Sequence, residues 1–221
     1  MPFAGGPTTL ANGTLLFSAV AAIAYLFMVT WPPSPRRTAV KTLSTALLAL
    51  LAWLEGGPAL LATALALGAA GDAFLAHEGD KAFLGGLGSF LAAHIAYVAL
   101  FFQAGGGAAT LMADPARLAL GAVLLAFGGL MARRLAVAVE PALKVPVMAY
   151  ITAILAMGLA VLTLDRPMAI VGAFMFIASD TILAAERFLL AENSPHRQWA
   201  PYGVWSLYYG GQAAIALGFL L

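Results

Sequence analysis

Long apolar runs, broken at short intervals by polar turns rich in Gly and Pro, set the pattern of this chain. A helix that spans a bilayer needs about 20 mostly apolar residues. Eight runs approach that length: Gly13–Trp31, Thr38–Leu54, Pro58–Ala76, Phe83–Gln103, Arg117–Leu135, Leu143–Leu164, Met168–Leu190 and Tyr202–Leu220. The breaks carry turn chemistry: "WPPSPRR", "EGGP", "HEGDK", "QAGGG…ADP", "VEP", "DRP" and "ENSPHRQWAP". The second run is the weakest, being short and flanked by Lys41. No soluble domain or long linker fits between the runs. The pattern predicts an all-α polytopic integral membrane protein, one bundle of about eight transmembrane helices over residues 1–221.

Composition sharpens this picture. The chain is 62% hydrophobic and 10% charged, with mean hydropathy +0.94, where a soluble domain carries about 25% charged residues. A net charge of +1 offers no basic face for nucleic acid. With no cysteine, thiolate nucleophiles and Cys-based metal sites are excluded. The opening "MPFAGGPTTLANG" lacks a basic n-region, so the first run is expected to be a retained helix.

Eight spans put both termini on one side. Arg36, Arg37, Lys41, Lys81, Arg133, Arg134, Lys144, Arg187 and Arg197 then share the opposite side, leaving only Arg117 and Arg166 with the termini. By the positive-inside rule the basic side faces the cytoplasm. The expected setting is a bacterial inner membrane with periplasmic termini.

Within the apolar runs the polar residues are the informative ones. A carboxylate at membrane depth costs roughly 2.5–3.5 kcal/mol on insertion scales. This chain has two, Asp72 in "GAAGDAFLA" and Asp180 in "IASDTILAAERF". Both fall in the cytoplasmic half, within roughly 6–12 Å of the boundary at 1.5 Å rise per residue. Lys41 and Lys144 enter from that side. Ser89, His94 and Tyr97 lie in the fourth run, Tyr150 in the sixth, Ser179 beside Asp180 in the seventh, and Trp205, Tyr208 and Gln212 in the eighth. Helical spacing puts Asp180, Ala184 and Arg187 on one stripe, Trp205, Tyr208 and Gln212 on a second, and His94 and Tyr97 on a third. Glu186 and Arg187 near a helix end also suit snorkelling interfacial charges, and Tyr208 and Tyr209 an aromatic belt. The expectation is one cavity toward the inner leaflet, with Asp72 and Asp180 at its centre.

These residues, in this order, resemble the YhhN-like family of membrane proteins, which includes the lysoplasmalogenases. The matching stretches are "VKTLSTALLAL", "GAAGDAFLA", "FLGGLGSFLAAHIAYVALF", "MAYITAILAM", "GAFMFIASDTILAAERF" and "YYGGQAAIALG", from the second run to the eighth. Two departures are mild: Thr42 where the family usually has Pro, and Gly211 where it usually has Ala. The resemblance implies hydrolysis of the vinyl ether bond of a lysoplasmalogen, a lysophospholipid of the bilayer. The products are a fatty aldehyde and a glycerophospho-head group. Such a bond breaks by protonation of the carbon beta to oxygen, then addition of water to the oxocarbenium ion. One protonated acid and one ionised carboxylate suffice, as in the paired carboxylates of glycoside hydrolysis. Asp72 and Asp180 are the expected catalytic pair. Lys41, Ser89, His94, Tyr97, Lys144, Tyr150, Ser179, Arg187, Tyr208 and Gln212 are the expected substrate-binding set, with no metal or other cofactor.

Two rival readings follow from the same residues. Paired intramembrane acids also serve proton-coupled transporters, and Lys41 with Lys144, and Asp72 with Asp180, hint at a four-plus-four repeat. A zinc lipid hydrolase would need histidine ligands, but His77, His94 and His196 show no H-E-x-x-H or H-x-x-x-H spacing.

Overall fold

The computed structural model describes residues 2–4, 6 and 9–221. They form α1 (Leu10–Met28), α2 (Pro35–Leu54), α3 (Ala59–Leu75), α4 (Asp80–Ala104), α5 (Gly107–Ala113), α6 (Pro115–Ala138), α7 (Pro141–Val161), α8 (Pro167–Phe188) and α9 (Ala200–Leu220). A short 3-10 turn at Pro195–Gln198 precedes α9. The described residues contain no strand, and the protein is a polytopic helical membrane protein.

The breaks read from the sequence are helix starts and stops. Proline opens α2, α6, α7 and α8 within the first turn, where its missing N–H costs no hydrogen bond. Ser34 caps α2 by accepting from the Arg37 amide, and Asp114 caps α6 by accepting from the amides of Ala116 and Arg117. "EGGP" ends α2. Gly56 takes φ +67°, its amide bonds Trp53, and the Gly57 amide bonds Ala52, closing a Schellman turn.

Eight long helices match the eight runs. Six of them are long and apolar enough on length and composition to cross a membrane. α3 falls short at 17 residues, and α9 carries Tyr208, Tyr209 and Gln212 within its 21 residues. One break differs from expectation. Between Gly106 and Asp114 the run "GAATLMA" forms α5, because Ala, Leu and Met are strong helix formers and Gly107, at φ +65°, turns the chain into it.

Helices α1 to α4 pack in sequence. α7 joins α4 to α8, α8 packs most extensively on α9, and α9 returns to α2 and α1. The ring closes on an aromatic interior that includes Phe90, Tyr97, Phe101, Phe176 and Tyr208. α6 rests chiefly on α7 at the edge. The α8–α9 contact is backbone against backbone: a Cβ on Gly172 would lie 2.7 Å from the Gly211 carbonyl oxygen. Small residues let membrane helices approach this closely. Polar ties add to it, Trp205 Nε1 donating to the Ala22 carbonyl at 2.9 Å and Ser18 bridging the Ser44 carbonyl and the Tyr209 hydroxyl.

Candidate active site

Asp72 lies one turn from the C-terminal end of α3, on the face packed between α2 and α9. It is 1% exposed. Thr45 Oγ1 of α2 donates to its Oδ2 at 2.9 Å, and the Tyr208 hydroxyl of α9 donates to the same oxygen at 2.8 Å. The Lys41 ammonium stands 3.6 Å from Oδ1. All three partners are donors, so the surroundings of Asp72 suit an ionised carboxylate. Lys41 and Thr45 reach it together because i and i+4 share a face of α2. Arg37, one turn earlier, gives its guanidinium to the carbonyls of Met28, Val29 and Ala76, tying the ends of α1 and α3 to α2.

Asp180 sits on α8, 8% exposed, with different company. The Tyr150 hydroxyl of α7 donates to its Oδ2 at 2.9 Å. His94 Nε2 of α4 faces the same oxygen at 3.4 Å. The His94 ring is fully buried, and its Nδ1 lies 2.7 Å from the Phe90 carbonyl oxygen. A carbonyl only accepts, so Nδ1 carries the hydrogen. In a neutral ring Nε2 is then a bare lone pair, with no other partner. Two acceptors face each other unless a proton lies between them, so the geometry favours a proton held on the His94–Asp180 pair.

Both acids line one cavity of about 560 Å³. Lys41, Arg37 and Tyr25 form one wall, Ser179 and Trp205 another, and Glu186 and Arg187 stand near the "HEGDK" turn with His77 and Glu78. The Arg187 side chain is 47% exposed, 3.8 Å from the exposed Asp80 carboxylate and over the Phe83 ring.

Six of the twelve site residues expected from the sequence line the cavity: Lys41, Asp72, Ser179, Asp180, Arg187 and Tyr208. Tyr208 is a ligand of Asp72 and not a belt aromatic, and Tyr150 is the ligand of Asp180. Ser179 lines the wall and donates to the Val204 carbonyl. Tyr97 and Gln212 stay in the core and bond each other, Tyr97 donating to Gln212 Oε1. Gly68 makes room for Gln212 and Tyr208, since a Cβ there would lie 2.8 Å from Gln212 Nε2 and 3.1 Å from the Tyr208 hydroxyl. Lys144 is a correction: it is exposed on α7 and does not line the cavity. It lies six residues before Tyr150, about 120° round the helix from the face that reaches Asp180. Ser89, five residues before His94, is likewise about 140° away, half-buried and off the cavity. The four-plus-four hint therefore stops at the acids, since only Asp72 has a lysine beside it.

Thr45, Arg37 and Tyr25 went unread in the sequence. The first two stand at i+4 and i−4 from Lys41, and that stripe was the available signal. Tyr25 gave none; its ring lies 5.8 Å from the Lys41 ammonium across a helix boundary.

A sequence profile of the YhhN family matches residues 36–219. The chain belongs to the YhhN family. The matched span runs from the start of α2 to the end of α9 and includes every side chain that touches Asp72 or Asp180. No curated protein and no solved structure matches this YhhN chain.

Proposed function

We propose that this YhhN protein is a lysoplasmalogenase, hydrolysing the vinyl ether of a lysoplasmalogen to a fatty aldehyde and a glycerophospho-head group. One observation carries the reading. Two buried carboxylates share a cavity, and their hydrogen-bond partners are opposite in kind. Asp72 has donors only. Asp180 has a histidine whose lone pair calls for a proton. That is the division of labour the reaction needs. Asp180 delivers its proton to the carbon beta to the ether oxygen. Asp72 stays ionised, opposite the oxocarbenium charge, and orients the water that adds to it. The adding water gives up its proton to Asp180, and the hemiacetal then collapses as Asp180 passes that proton to the glycerol oxygen and takes up the O–H proton, ending protonated as it began. His94 holds Asp180 in its protonated register. Lys41 is taken up by Asp72 and Arg37 by three main-chain carbonyls, which leaves Arg187 as the cation for the lipid phosphate.

The test is aldehyde release from a lysoplasmalogen by the purified protein in detergent, where transport has no sealed membrane to act across. Wild-type turnover that Asp180→Asn abolishes supports the reading. Turnover unchanged in that variant ends it.

A further inference from the structure

A second concavity lies beside the polar cavity, and the site described so far makes no use of it. It runs between α4, α6, α7 and α8 and is lined almost wholly by apolar side chains. Each helix contributes a stripe of helical period. On α6 the stripe runs from Leu124 through Phe127 to Leu135, about 16 Å of helix at 1.5 Å per residue. Leu155 of α7 and Ala184 of α8 face it. The groove exists because α6 rests on α7 and stands away from α4 and α8.

The groove and the polar cavity adjoin and share part of their lining. Asp180 and Arg187 line both, with Phe83 and Phe90 at the join. Asp72 lines the polar cavity alone. A ligand filling both has a charged or zwitterionic end beside Arg187 and one hydrocarbon chain beside α6, with Asp180 at the crossing point.

We infer that this groove is the binding site for the single hydrocarbon chain of a one-chained phospholipid, and that it sets which chain lengths the protein takes. The inference rests on the function proposed above for the polar cavity and names its substrate's other half. It also gives Asp180 its place independently of the histidine. The carbon that accepts the proton is the second of the chain, just inside the groove, where Asp180 is the only carboxylate among the lining residues.

A saturated 1-O-alkyl lysophospholipid lacks the vinyl bond and is not cleaved. Carrying a photoreactive diazirine near the chain terminus, it reports where the chain lies. Irradiation with the purified protein should label Leu124, Leu155 and their groove neighbours, and excess unlabelled lysophospholipid should compete the label away. Ala184→Phe narrows the groove. It should reduce that label at least fivefold, the low end of what overpacking a filled site costs, with a loss that grows with chain length. Wild-type competition decides the matter even if the variant does not fold. Label spread without competition over the lipid-facing side of α6, at Val123 and Leu130 (63% and 49% exposed), overturns the inference. Aldehyde release measured on the same preparation separates the two ideas. Hydrolysis with diffuse label removes the groove and keeps the function; competed groove label without hydrolysis keeps the groove and removes the vinyl ether chemistry.

Discussion

Replacing Lys41 by Met tests the Asp72 half of the site without any substrate. Methionine keeps most of the side chain's length and its apolar stem but removes the ammonium 3.6 Å from Asp72 Oδ1. The carboxylate left behind is 1% exposed. Removing one partner of a buried pair typically costs 3–5 kcal/mol, because the surviving charge has lost its compensation. Two features favour the low end here. Thr45 and Tyr208 still donate to Oδ2, and the cavity admits water. We expect a loss of about 3 kcal/mol. Asp72→Asn in the Lys41→Met background then removes the orphaned charge while keeping an oxygen for both hydroxyls. The double variant should therefore be more stable than Lys41→Met alone, with a coupling of at least about 1 kcal/mol in the double-mutant cycle. Unfolding of the purified protein by denaturing detergent, followed by tryptophan fluorescence, gives the four stabilities. If the two substitutions simply add, the ammonium does not compensate the carboxylate, and the account of Asp72 as a held anion is wrong.

Other outcomes follow from the same geometry. Asp72→Asn and Asp180→Asn should each lower lysoplasmalogen turnover at least about 100-fold, within the range of general acid–base steps, with the double variant little worse than either single; near-wild-type aldehyde release by either one refutes the pair. Arg187→Gln should raise KM more than it lowers kcat, because the proposed function sets it against the phosphate and not the reacting carbon; an unchanged KM removes it from head-group binding. Gly172→Leu should drive α8 from α9, costing about 1–3 kcal/mol or more as overpacking does, and an unaltered denaturation midpoint would contradict the backbone contact. A reporter fused after Leu221 should read as non-cytoplasmic, as the basic loops require; a cytoplasmic signal reverses the orientation.

Much of this was legible in the sequence, because a membrane penalises polarity. In a soluble chain Asp72 and Asp180 would be two of many acids. In apolar runs of membrane length they stand out, and so do His94, Tyr150 and Tyr208. The pairing of spans with turns was legible for the same reason: proline and glycine fall where helices start and stop. What escaped was rotation. Lys144 and Ser89 have the right depth and the wrong azimuth, and depth is all that an apolar run encodes clearly when every face of a helix is apolar. α6 shows the limit most plainly. Its stripe from Leu124 to Leu135 is no more hydrophobic than its lipid-facing side, so no periodicity separates groove from lipid.

That limit bears on how the two acids acquire different roles. Neither role is written in the aspartates, which sit in similar local sequences, each followed two residues on by an aromatic or β-branched residue, Phe74 or Ile182, and then by Leu-Ala. The difference comes from what the ring of helices brings to each. α2 and α9 bring a lysine and two hydroxyls to Asp72, all of them donors. α4 brings His94 to Asp180, and the decisive contact is one the side chain makes with its own helix, Nδ1 against the Phe90 carbonyl four residues back. That bond fixes which nitrogen faces the acid. Replacing His94 by Gln keeps a polar group in the space but removes the ring that fixes the proton's place. It should cost less than either Asp→Asn change and should lower kcat while leaving KM near its wild-type value, whereas a histidine that merely packs would leave kcat alone in the folded protein. A wild-type kcat in folded His94→Gln enzyme would therefore strip His94 of its role and leave Tyr150 as the side chain that positions Asp180.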